Sequence, residues 1–177
     1  MAVGAFANIL TAIREVIEDS TGSVRTAPSN RFRGGLYSGL DRDAGTLRAL
    51  GAPIVETEIV RRVRSESGCV VNSNVQLRDI EVEVRVIRSI TLTSKIDDAT
   101  RDAAKAAALA DGDYIDQALT WPGNLTQTSA AGATGLISGM LVYVDSDATV
   151  EADEETGARI ITTHRFTGTT NVATAVS

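Results

Sequence analysis

Between Ile80 and Leu92 the chain alternates apolar and polar side chains with almost no break, and this pattern limits the fold more than any other feature. Ile80, Val82, Val84, Val86, Ile90 and Leu92 fall on one face of an extended strand, while Glu81, Glu83 and Arg85 fall on the other. A second extended run, Ile54 to Ser65, carries Val55, Ile59 and Val63 on its apolar face. An antiparallel register that satisfies both faces places Val63 opposite Val82, Ile59 opposite Val86 and Val55 opposite Ile90. The same register sets Arg64 against Glu81 and Arg62 against Glu83, each pair adding roughly 0.2–1 kcal/mol. Sliding one strand by two places would set Arg62 against Arg85, which is unfavourable. The expectation is a long hairpin whose polar connection, Glu66 to Asp79, projects from the body.

Helical spacing brackets this hairpin. From Val3 to Asp19 the apolar residues Phe6, Ile9, Leu10, Ile13, Val16 and Ile17 form a single stripe, and Thr21-Gly22 supplies a stop. A short strand from Ser23 to Ala27 ends at Pro28, and the Gly- and Arg-rich stretch 29–53 reads as a long loop. Asp97 and Asp98 suit a helix N-terminus, and the alanines from Ala99 to Ala110 are strong helix formers. Asp111-Gly112-Asp113 predicts a break, followed by a shorter helix from Tyr114 to Thr120 and a turn at Trp121-Pro122-Gly123-Asn124. The small, polar segment 126–134 reads as a loop. Leu136 to Ala152 and Ala158 to Thr167 then flank Asp153-Glu154-Glu155-Thr156-Gly157, a second hairpin with an acidic tip. Gly168 to Ser177 reads as a flexible tail.

The 177 residues fit one domain spanning 1–177, long enough to bury a core without disulfide or metal staples. The order of elements predicts an α+β fold: a mainly antiparallel β-sheet flanked by an N-terminal helix and a second helix. A net charge of -6 argues against a nucleic-acid reader, which needs a basic surface. No apolar run reaches the roughly 20 residues that span a bilayer, and no charged-then-apolar leader opens the sequence, so synthesis in a reducing cytosol is expected. The basic residues are almost all arginine, which suits fixed ion pairs and interfaces; coding bias in a GC-rich genome explains the same excess.

Residues able to do chemistry are sparse. His164 is the sole histidine and lies on the final strand, where such a residue is usually packed or on the surface. Cys69 is the sole cysteine, and as a nucleophile it would need a base such as His164 within reach. Asp145-Ser146-Asp147 begins like a calcium loop, but Val150 and Thr156 stand where glycine and a bidentate carboxylate are required. The tip residues Glu151, Asp153, Glu154 and Glu155 read as a solvated, charge-guarded turn. With one Cys and one His, zinc is disfavoured. Phosphate-loop spacing is absent, and in Gly35-Leu36-Tyr37-Ser38-Gly39 the serine falls one place too late for a nucleophile elbow. Neither catalytic residues, nor metal ligands, nor a cofactor is expected. The sequon Asn124-Leu125-Thr126 carries no meaning without secretion.

Taken in order, the chain shows an amphipathic helix, an arginine-rich loop, a long hairpin, a helical segment ending in Tyr114-Ile115-Asp116-Gln117-Ala118-Leu119, and a closing hairpin that includes Thr163-His164-Arg165-Phe166. This arrangement resembles the tail terminator proteins of long-tailed bacteriophages and related tail-like particles. The likeness covers most of the chain and lies in element order rather than in a sharp motif; the 29–53 loop and the 126–134 segment depart from it. The resemblance implies a structural virion protein in the tail and neck, made in the host cytoplasm. It implies a homo-oligomer, a six-fold ring that caps the tail tube, stops its polymerisation and offers a surface to the head-side connector. The ring's partners would be the tail tube protein and the connector or stopper protein, with DNA passing through ungripped and no membrane contact. Candidate contacts between subunits or with partners are Arg31, Arg33, Arg42, Arg48, Arg62, Arg64, Glu81 and Glu83. Two other readings compete: another neck component such as a head-closure protein, and a small hydrolase using Cys69 and His164. A ligand-binding module is disfavoured by the 4% aromatic content.

Overall fold

The computed structural model describes residues 5–18, 54–64, 75–91, 98–121, 124–126, 136, 140–153 and 157–173. The expected strand at Ser23 to Ala27, the 29–53 loop and the last four residues lie outside them. Within this set the elements are α1 (Ala5–Glu18), β1 (Ile54–Arg64), β2 (Val75–Thr91), α2 (Asp98–Thr120), a 3-10 turn (Asn124–Thr126), β3 (Val142–Asp153) and β4 (Gly157–Ala173). The four strands form one sheet in the order β1-β2-β4-β3, antiparallel throughout. The fold is α+β, with both helices packed on the same face of the sheet.

Strand alternation sets the core. Ile80, Val82, Val84 and Val86 of β2 are buried beneath the helices, beside Phe166 of β4. Helix α1 lays Ile9, Ile13, Val16 and Ile17 into this core, with Phe6 and Leu10 at its margin, as the stripe requires. The second half of α2 adds Tyr114, Ile115, Ala118 and Leu119. Tyr114 donates its hydroxyl hydrogen to the Ile17 carbonyl at 3.2 Å, satisfying one of the acceptors left over at the α1 C-terminus. Asn124 caps α2 in a similar way, its Nδ2 donating to the Ala118 carbonyl at 2.8 Å.

Three expectations and one strand boundary are corrected. The first is the register of the first hairpin, which is displaced by four residues. Val55 faces Val86 and Ile59 faces Val82, so the faces are kept, because an even slip does not invert a strand. A bulge between Ile59 and Arg61 then shifts the count, setting Arg61 opposite Glu81, Arg62 opposite Ile80, Val63 opposite Asp79 and Arg64 opposite Arg78. Arg62 therefore does not meet Glu83, Arg64 does not meet Glu81, and Val63 is exposed rather than paired with Val82.

The second correction concerns Asp111-Gly112-Asp113, which does not break the helix. Ala108, Asp111, Gly112, Ile115, Ala118 and Leu119 lie on one helical stripe and are all buried. Tertiary contacts hold the helix through this point: Asp111 is gripped by Arg88 of β2, and Gly112 leaves room for the His164 ring. The third correction is at the end of the chain. Residues 168–173 are not a loose tail but continue β4, pairing with 75–80 of β2. Thr169 Oγ1 donates to Asp79 Oδ1 at 2.8 Å and Thr170 is fully buried, so a run that reads as small and polar is fixed by its threonines. Strand β3 also begins later than Leu136, which pairs with Thr170 as an isolated bridge.

Candidate functional site

Two features of the sheet are left for function: its edges, β1 and β3, which no other strand among the described residues covers, and a cleft where α2 crosses towards β3. On β3 every residue from Val142 to Glu151 is exposed, including Val142, Tyr143, Val144 and Val150. Edge strands present unpaired backbone donors and acceptors, and a long apolar one is a template for another chain.

The face of the sheet away from the helices is a lattice of charge. Arg165 on β4 donates from Nη1 to Asp145 at 2.8 Å, from Nη2 to Asp147 at 2.7 Å and from Nε to Glu83 at 3.2 Å, tying β2, β4 and β3 together. The hydrogen bonds to Asp145 and then Asp147 hold its guanidinium protonated well above the ordinary arginine range. Glu83 also accepts from Arg85 at 2.8 Å, and Glu81 accepts from Arg61 at 2.9 Å. Both candidate glutamates thus belong to this lattice, but through arginines other than those expected. Arg62 lies on the opposite, helix-covered face, with its guanidinium 4.5 Å from the centre of the Phe6 ring. Arg64 ends β1. Arg31, Arg33, Arg42, Arg48 and Cys69 lie outside the described residues.

The cleft has a volume of about 220 Å³ and is lined by α2 from Ala108 to Asp116, by β3 from Ser146 to Ala148, and by Thr162 and His164 of β4. His164 is buried, with Nδ1 3.1 Å from Asp116 Oδ1. A carboxylate only accepts, so Nδ1 carries the hydrogen, and in the neutral imidazole Nε2 then presents a lone pair. Nε2 and Thr162 Oγ1 are buried without a hydrogen-bond partner. Gly112 packs so closely on the imidazole that a Cβ there would lie 2.5 Å from Cε1. Gly112→Ala should therefore destabilise the chain by about 1–3 kcal/mol through overpacking, less the roughly 1 kcal/mol by which alanine favours a helix. In a His164→Ala background the same change should become stabilising. Thermal melts of the four proteins check this, and a stabilising effect in both backgrounds would show that the ring does not demand the glycine.

Sequence reasoning weighed His164 as a base and Asp145-Ser146-Asp147 as a cation loop, and missed the roles of Asp116, Asp111, Gly112 and Arg165. The available signal was the helical spacing that continues through Asp111 and Gly112. Among the described residues no cluster of three His, Cys, Asp or Glu could hold a metal ion, and no helix is long and apolar enough to cross a membrane.

Compared with known proteins, the chain matches no family model and no curated protein.

Proposed function

We propose that this chain is a structural assembly protein that builds a ring from head-to-tail copies and acts at the end of a phage-type tail tube, as a tail terminator does. The observation that carries this reading is the pair of sheet edges, β1 and β3, that no other strand among the described residues covers. Strands β1 and β3 run in opposite directions, because all three intervening pairings are antiparallel. A copy rotated about an axis along the strands therefore offers its β1 antiparallel to the first copy's β3. Such a heterologous contact closes into a ring when the rotation divides a full turn. Apolar side chains exposed along β3 and the bulges at both edges suit docking with a cognate edge rather than indiscriminate pairing. On this reading the protein works by fit, making and breaking no covalent bond, and its partners are the tube protein and the head-side connector.

The test is the mass of the purified chain in solution together with a symmetry-resolved image of particles. A closed ring seated on tail tubes and absent from empty heads supports the terminator role; a ring found on heads alone favours the head-closure alternative. A chain that stays monomeric and never enters a particle overturns both.

The contact between His164 and Asp116 favours a second reading, a hydrolase in which His164 serves as base. His164→Gln separates the two: loss of a hydrolytic activity with assembly intact favours the enzyme, and unchanged assembly without any such activity removes it.

A further inference from the structure

The cleft beneath α2 has a chemistry that no residue lining it completes. Its two buried orphan atoms, His164 Nε2 of the neutral ring and Thr162 Oγ1, can each accept a hydrogen bond, and Asp113 and Asp116 add carboxylates. Leu109 and Ala148 supply apolar wall, and neither lysine nor arginine is among the lining residues. Its roughly 220 Å³ falls below the roughly 300–1,000 Å³ usual for small-molecule sites. The match is a single long side chain: an aliphatic stem along Leu109 and Ala148, ending in a cation rich in donors.

We propose that the cleft receives the Arg62 guanidinium of a second copy of this chain, whose β1 edge docks antiparallel along β3. The inference rests on the ring-building reading above, but not on any role at a tail. Charge is complementary between the two edges. Beyond its bulge β1 carries Arg61, Arg62 and Arg64, whereas β3 carries Asp145, Asp147, Glu151 and Asp153. Complementarity also holds face by face. Arg62 is on the helix-covered face and arrives on the side of the sheet where the cleft lies. Arg61 is on the other face and arrives beside Asp145 and Asp147.

Arg62 stands level with Gly168, four residues along the sheet from His164, so the copies are staggered by that amount. Closing a sheet on itself requires such a stagger. The guanidinium exchanges the face of Phe6 for two carboxylates and an imidazole lone pair. An arginine bridging these groups gains charge-assisted hydrogen bonds in a partly desolvated site.

Two measurements test this. His164 is the chain's only histidine, so its ring nitrogens give unambiguous NMR signals. In the full chain carrying Arg62→Ala, which leaves the cleft vacant, ethylguanidinium chloride should shift the Nε2 resonance in a saturable way. Sodium chloride at equal ionic strength should not, and Asp113→Asn should weaken the titration at least tenfold. Absence of a saturable shift, or an equal shift with sodium chloride, overturns the site.

The second measurement is sedimentation of Asp113→Arg and Arg62→Glu, both changes at exposed positions, with melting curves to confirm folding. Each variant alone should be monomeric. Their mixture should form a one-to-one dimer, because one keeps an intact arginine and the other an intact cleft. A monomeric parent chain, or a mixture that does not associate, overturns the second-copy occupant. If the mixture pairs but no ring is found on tail tubes, the tail-end role fails and the contact stands.

Discussion

Arg88→Met should lower stability by about 3–5 kcal/mol, the cost of breaking a buried ion pair by removing one member. Asp111 is fully buried, while Arg88 is 28% exposed and grips it with Nε and, at 3.0 Å, with Nη2. Removing the arginine takes both of these hydrogen bonds from a carboxylate buried between α2 and β2. For a chain of this size the loss should lower Tm by roughly 10 °C or more. The double change Arg88→Met with Asp111→Leu should recover most of it, because a buried ion pair exchanged for apolar groups of similar volume is often neutral. A double-mutant cycle by denaturant unfolding measures the coupling. If the single change costs under 1 kcal/mol, the pair does not anchor α2 at this point.

The second large effect is expected at Phe166, the largest of the fully buried side chains. It lies opposite Val82 on the helix-covered face and meets Tyr143 edge-to-face, with ring centres 6.0 Å apart at 73°. Phe166→Ala should cost about 3–5 kcal/mol, combining lost burial with the cavity left behind. Phe166→Leu keeps most of the volume and should cost clearly less. Because Phe166 secures β4 and Tyr143 belongs to the edge strand, hydrogen exchange should rise in β3 as well as β4 in the alanine variant. Exchange confined to the immediate neighbours of Phe166 would show that β3 is held by other contacts, with the Arg165 lattice the foremost of them.

Both effects originate where the helices meet the sheet, and both bear on the candidate interface. Asp111, one turn before Ile115 and next to Gly112, fixes the height of α2 over His164. The cleft exists because α2 stops short of covering β3, leaving Leu109 68% and Val150 65% exposed.

Some of this could be read from residue order alone. The period-two run from Ile80 to Val86 and the helical stripe from Phe6 to Ile17 each lie within one element. Local spacing therefore decides which side chains are buried. Register was less legible. Pairing Arg62 with Glu83 and Arg64 with Glu81 is sound chemistry, but it assumes an unbroken strand, and the bulge at Val60 redirects every side chain after it. The break expected at Asp111-Gly112-Asp113 followed from local propensity, which a distant arginine and a distant imidazole override. The strand from Gly168 to Ala173 was hidden because threonine reads as polar even where its branched Cβ suits a sheet.

The candidate site was the least legible part. His164 and Asp116 are 48 residues apart, and Arg165 gathers partners from two other strands. The sequence determined the element types, the α+β class and the faces that are buried, since each follows from periodicity within a short window. The tertiary structure decided the register, the continuity of α2, the partners of Arg62, Glu81 and Glu83 and the shape of the cleft. Each of those is set by which distant segments come to lie side by side, and no local pattern encodes that choice.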